Sequence, residues 1–138
     1  MLYTEVLSGL WIGDVDMMYN KKFIDDNQIK VIINCTIDQP FSETIAGVEN
    51  IRLPLANNLY ACLDTIRHNK DKILRFINDK LESYHILLCC FEGSIISPFI
   101  VSLYLIDYAD IPKSEVRKII QSKNEAVSME FDLNLLDL

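Results

Sequence analysis

The sequence predicts a single α/β domain, residues 1–138, with a mostly parallel central sheet flanked by helices. Three observations carry that reading. Short β-branched runs alternate with longer stretches of helical periodicity. The runs KVIINC (residues 30–35) and HILLCC (residues 85–90) are almost wholly apolar, as strands covered on both faces are. No repeat, low-complexity segment or linker divides the 138 residues, a length that suits one core.

Residues 3–7 and 10–12 flank Ser8-Gly9 and predict a short hairpin. Residues 14–27 predict a helix with Asp14 as N-cap and Met17, Met18 and Phe23 along one side. Residues 30–35 form a buried strand. Residues 38–47 contain Pro, Ser, Thr and Gly and read as loop. A short strand follows at residues 50–55 (NIRLPL). Ile66, Ile73, Ile77 and Leu81 recur at helical spacing and predict a long amphipathic helix over residues 62–84. The central strand spans residues 85–90. Residues 97–108 are nearly all apolar and form a buried helix. Asp110-Ile111-Pro112 fits a cap with proline in the first turn of a helix running to about Gln121. Residues 129–138 predict a last short helix.

Composition narrows the function classes. Half of the residues are hydrophobic and 24% are charged, which fits a globular protein. A net charge of −7 with scattered basic residues argues against nucleic acid, because a phosphate-binding groove needs clustered Lys and Arg. No apolar run approaches the roughly 20 residues of a membrane span. The opening MLYTEVLSGLWIGD has acidic residues and no basic n-region, so no secretory leader is expected. The cysteines are Cys35, Cys62, Cys89 and Cys90, with no C-x-x-C and no His at metal-ligand spacing. Neither a disulfide framework nor a metal site follows. Reduced thiols inside the cell, cytoplasmic or nuclear, fit this pattern, and no cofactor is implied.

The stretch HILLCCFEGSIISPF carries the chemistry. An apolar strand runs into a cysteine, a glycine-containing loop and a buried helix, which would present a thiolate to backbone N–H groups at a helix N-terminus. The loop has no basic residue. On the residues alone, Cys90 reads first as a small buried hydrophobe ending a strand.

LLCCFEGSIISPFIVSLYLI resembles the signature of the cysteine-dependent dual-specificity protein phosphatases. That signature is a His-Cys pair, five loop residues with glycine third, Arg, Ser and often Pro, then a buried helix. GLWIGD is similar to the family's opening hairpin, KVIINCT to its second core strand, and NIRLPLANN to the segment leading to its general-acid loop. SKNEAVSMEFDLNLLDL is similar to its closing segment, so the resemblance spans essentially the whole chain. It implies that Cys90 stands at the nucleophile's position and Ser97 at that of the hydroxyl that helps the thiolate leave. The phosphate loop would be Cys90, Phe91, Glu92, Gly93, Ser94, Ile95 and Ile96. Three positions depart from the pattern. Cys89 replaces the histidine before the nucleophile, Ile96 the phosphate-binding arginine, and Asn57 the general-acid aspartate.

The departures remove specific chemistry. In the family, the arginine clamps two equatorial oxygens through charge-assisted hydrogen bonds. Such bonds are worth about 1.5–3 kcal/mol each, so isoleucine forfeits on the order of 3–6 kcal/mol. Arg52, Arg67, Arg75 and Arg117 all lie far from Cys90 in sequence, and rescue would need one of them to reach in. Asn57 cannot donate a proton at neutral pH, and a missing general acid costs about 10²–10⁴ in rate. An apolar loop mouth raises the thiol pKa, while loop N–H groups and the helix dipole lower it. The balance predicts a Cys90 less acidic than in active relatives.

The resemblance therefore implies a pseudophosphatase, a protein-binding or regulatory module in phosphorylation signalling. Its partner would be a protein such as a phosphoprotein, a kinase or an active phosphatase, and the acidic charge favours a basic face. Two alternatives stand beside it. One is a weak or altered cysteine-dependent phosphatase using Cys90, and the other is a structural or assembly role with the pocket unused. For Cys89, packing against the sheet outweighs redox pairing with its neighbour. Asn57 reads equally as a loop-turn residue. His68 and His85 fit surface or strand-edge roles, and residues 99–106 fit core.

Overall fold

The computed structural model describes residues 2–137. Its elements follow the alternation expected. They are β1 (Tyr3–Leu7), β2 (Leu10–Gly13), α1 (Val15–Met18), α2 (Lys21–Asp26), β3 (Ile29–Asn34), β4 (Glu49–Arg52), α3 (Leu59–Leu81), β5 (His85–Cys89), α4 (Ile96–Asp107), α5 (Lys113–Lys123) and a 3₁₀ turn, Leu135–Asp137. The sheet order is β1-β2-β5-β3-β4. Only β1 is antiparallel, pairing with β2, while β2, β5, β3 and β4 run parallel. The sheet is thus mostly parallel with an antiparallel edge. Parallel pairing brings the carboxyl ends of β2, β3, β4 and β5 to one side of the molecule, where open α/β sheets bind ligands.

Side chains alternate across the sheet and divide the core in two. Leu10, Ile12, Val31, Ile33, Cys35, Ile86, Leu88 and Cys90 belong to the larger cluster, with residues of α3, α4 and α5. Ile32, Leu87 and Cys89 belong to a smaller one with Met17, Met18, Phe23 and Ile24 from α1 and α2. The pleat therefore sends Cys89 and Cys90 to opposite faces. Helix α4 is buried over ten of its twelve residues, as its continuous apolar sequence requires. Phe99, in its first turn, is fully buried and edge-on to Phe131 at 5.3 Å between ring centroids.

Several boundaries differ from the sequence expectation. The helix expected over residues 14–27 is two short helices, because the Asn20 side chain accepts the Phe23 N–H at 3.0 Å and starts α2 afresh. Asp14 does cap α1, through Met17 N–H. Helix α3 begins three residues before Cys62, capped by Asn58 accepting from Ala61 N–H at 3.3 Å. Strand β4 covers residues 49–52 and stops short of Pro54, which has no N–H to donate. Strand β5 ends at Cys89, one residue earlier than read. Asp110, at φ +55°, does not cap α5; Pro112 occupies the N-cap with no side-chain hydrogen bond.

The closing segment is not the helix expected over residues 129–138, beyond the 3₁₀ turn; Leu138 lies outside the described residues. Arg117 donates to the Phe131 carbonyl, Gln121 donates to those of Val127 and Ser128, and Asp132 accepts the Asn134 N–H. Backbone groups served by side chains gain nothing from helical pairing.

Phe99→Ala is expected to cost about 3–5 kcal/mol, since it opens a cavity under α4 and removes the partner of Phe131. Urea unfolding followed by far-UV circular dichroism measures it, and a loss below about 1 kcal/mol would contradict the packing described.

Candidate functional site

Strand β5 delivers Cys90 to the carboxyl edge of the sheet. The Cys90 N–H still donates to the Gly13 carbonyl at 3.2 Å, as if continuing the β2–β5 ladder, and the chain then turns away. The turn rests on Gly93, at φ +74°, where a Cβ would stand 2.6 Å from the Asp14 nitrogen and 2.8 Å from the Gly13 carbonyl carbon. Glycine is required there by its conformation and by the backbone it touches. The loop then curls into α4, whose N-cap position, Ile95, makes no side-chain capping bond.

The sulfur of Cys90 sits inside this turn. It accepts the Gly93 N–H at 3.2 Å and lies 3.3 Å from the Ser97 hydroxyl. Both Cys90 and Ser97 are buried. Both partners are neutral groups. A hollow of about 110 Å³ opens beside them, lined by Asn57, Asn58, Leu59, Cys90, Glu92, Ser94, Ile95 and Ile96. The structure thus brings Asn57 to the Cys90–Ile96 loop from a separate part of the chain. Ser97 faces the same sulfur from below, and Phe91 is exposed at the rim.

Ile96 is only 2% exposed and packs into the larger core cluster. Its side chain closes the base of the hollow with hydrocarbon. No Lys, Arg or His lines the hollow. Each of the arginines is placed elsewhere. Arg52 donates to the carbonyls of Thr36 and Gln39 at 2.9 and 2.8 Å and lies over the Phe41 ring. Arg67 pairs with Asp64, Arg75 is exposed on α3, and Arg117 holds Phe131. His85 stands at the opposite end of β5, its Nδ1 2.8 Å from the Asn27 carbonyl, and His68 contacts the Asp64 carbonyl within α3. No group of metal-ligating side chains gathers among the described residues.

A second, larger hollow of about 410 Å³ adjoins the first at Asn57, which lines both. Its other walls are Cys35, Thr36, Ile37, Asp38, Leu55, Ala56 and Phe91. A buried polar network shapes it. Asn34 accepts from the Thr36 N–H and hydroxyl and donates to the Gln39 carbonyl, and Thr36 accepts the Gln39 N–H. Apart from Asn57 and Phe91, the residues of this hollow and its network were not singled out as site residues in the sequence. The available signal was that Cys35 directly follows β3 as Cys90 directly follows β5, and adjacent parallel strands bring such ends together.

Burial pushes the Cys35 and Cys89 thiols well above the ordinary range, and nearby thiols, Cys90 among them, add to the effect. Cys62 is also raised, chiefly by burial. Cys89 packs against Met17, Met18 and Leu87 on the far face of the sheet, so it is placed as a core residue rather than a partner for its neighbour's sulfur.

The fold is shared with dual-specificity phosphatases. The chain superposes on DUSP15 with a TM-score of 0.80 at 20% identity, over 95% of this chain and 81% of that one. It superposes on the human tyrosine phosphatase-like serine/threonine/tyrosine-interacting protein with a TM-score of 0.77 at 17% identity, over 93% and 87%. The Yvh1 phosphatase domain from Chaetomium thermophilum gives 0.75 at 18%, over 94% and 88%. No protein-family model matches the sequence, and no curated protein is significantly similar to it. At these identities the likeness is one of fold.

The buried thiols set a pH dependence. Unfolding returns Cys35 and Cys89 to the ordinary range near about 8.5, whereas the native state keeps both protonated at higher pH. Their contribution to stability is therefore full below that value and lost as pH rises above it, by up to about 1.4 kcal/mol per pH unit for each thiol. Urea midpoints measured from neutral to alkaline pH should fall along this course, and less steeply in Cys35→Ala. An equally steep fall in that variant would contradict the assignment.

Proposed function

We propose that this chain is a pseudophosphatase, a catalytically impaired protein-phosphatase homologue that acts as a protein-binding module in phosphorylation signalling. The observation that carries the reading is Ile96. It stands six residues after Cys90, where the family resemblance places the phosphate-binding arginine, and its side chain is buried in hydrocarbon. With no cation lining the hollow, a phosphate dianion entering it would lose hydration and gain no counter-charge, an unfavourable exchange. The fold likeness to a human phosphatase-like protein named for interaction with serine/threonine/tyrosine is consistent with a binding role on this scaffold.

The expected chemistry of the family fails here at two steps. In-line attack by a thiolate needs the equatorial oxygens held, and backbone N–H groups alone would hold them. The leaving oxygen needs a proton, and Asn57 carries an amide. Losing one electrostatic donor costs about 10²–10³ and losing the acid about 10²–10⁴, without strict additivity. The partner, then, is recognised rather than processed. A kinase, an active phosphatase or one of their phosphoprotein substrates fits that role.

A second reading has an observation of its own. The Gly93 N–H and the Ser97 hydroxyl both reach the Cys90 sulfur, and both would serve a thiolate nucleophile. On that reading the chain is a weak cysteine-dependent phosphatase acting on activated esters.

Hydrolysis of an activated aryl phosphate separates the two. The wild type should match Cys90→Ser at background. The double variant Ile96→Arg with Asn57→Asp should gain Cys90-dependent turnover of at least about 10² over the wild type, the worth of a restored transition-state donor. Wild-type turnover that disappears in Cys90→Ser would overturn the pseudophosphatase reading in favour of the weak enzyme.

A further inference from the structure

We infer that the paired hollows around Asn57 bind an unphosphorylated peptide segment of a partner protein, with an apolar side chain flanked by lysine or arginine. The inference rests on the pseudophosphatase reading and names the ligand of the same site.

The larger hollow supplies the apolar half. At about 410 Å³ it falls in the range of about 300–1,000 Å³ typical of ligand pockets. Its floor includes the buried Cys35 and Leu55, and its rim carries Ile37 at 58% and Phe91 at 48% exposure. Two large apolar side chains held open to water in the lining of one concave surface are features of a contact surface rather than of a solvated edge. The rim is also fixed in place. Asn34, Thr36 and Arg52 pin the 36–39 turn through buried or half-buried hydrogen bonds. Phe91 follows directly on the anchored Cys90. A preset surface binds with less ordering cost.

Charge selects the occupant. Asp38 borders the larger hollow and Glu92 the smaller, both exposed, and neither hollow has a Lys, Arg or His in its lining. The nearest guanidinium in the network, that of Arg52, is spent on the Thr36 and Gln39 carbonyls behind the turn. Each of the paired hollows therefore carries one carboxylate and no cation in its lining, within a chain of net charge −7. A phosphorylated or acidic segment would meet like charge there, whereas a basic one gains complementarity and faster association. Asn57, exposed between the hollows and lining both, offers amide donors and acceptors to the backbone of an extended segment.

The test screens the full chain, fluorescently labelled, against a bead-displayed octapeptide library that includes phosphotyrosine and phosphoserine beads. The expected result is enrichment of Leu, Ile, Phe or Met at one position with Lys or Arg beside it, weakening as salt rises. Phe91→Ser should abolish that enrichment. Asp38→Lys with Glu92→Lys should keep the apolar preference while reversing the flanking preference to acidic residues. All three positions are exposed, and circular dichroism confirms that each variant folds. Enrichment of phosphorylated or acidic beads by the wild type, or no enrichment, would overturn the inference. So would concentration-dependent self-association lost in Phe91→Ser, which would make a second copy of the chain the occupant. Such failures leave the hydrolysis comparison untouched, so a failed screen with a silent wild-type enzyme would reject the ligand and not the pseudophosphatase reading.

Discussion

The Cys90–Ile96 loop is held where Gly93 lies against the backbone of Gly13 and Asp14. A side chain at that point would sit 2.6 Å from a backbone nitrogen, closer than packing allows. Because Gly93 takes φ +74° at this contact, the chain reverses in few residues and its N–H points back to the Cys90 sulfur. The same contact ties the loop to the β2–α1 junction, which Asp14 stabilises by capping α1 and accepting the Leu2 N–H at 2.7 Å. The position of Cys90, the start of α4, and the placing of Ser97 and Ile96 all depend on it.

What the loop encloses suits an anion in shape and not in charge. A turn that brings a sulfur, an N–H and a hydroxyl within hydrogen-bond distance is suited to an anion, yet its base is an isoleucine packed into the core. The Ile96 hydrocarbon and the Glu92 carboxylate in the lining both disfavour a dianion. The neutral hydrogen bonds to Cys90 still make sense as structure. They satisfy a buried N–H and a buried hydroxyl that would otherwise go unpaired. The loop geometry thus has a structural role that needs no charge at its base.

The sheet and its order along the chain were legible because strand periodicity and apolar runs are properties of short windows. That Cys90, Gly93, Ile96 and Ser97 share one loop was legible because they lie in one contiguous stretch. What escaped the sequence depended on side chains competing for backbone groups. Asn20 breaks one expected helix, Asn58 starts another early, and Arg117 and Gln121 hold the closing segment by its carbonyls. The larger hollow escaped for a different reason, since Cys35, Leu55 and Phe91 come from three segments that meet only through parallel pairing. Asn57 lay between these cases, with its loop readable and its nearness to Cys90 set by the fold.

The central claim is that the loop survives while its affinity for phosphate does not. It is tested most directly by titrating the isotope-labelled protein with inorganic phosphate and following the backbone amides of residues 91–97. The account predicts no saturable shift in those amides, with the same response in Cys90→Ser. Saturable shifts centred on Gly93, Ser94 and Ile95 would contradict it, for they would mean that the loop binds the anion without a cation beside it.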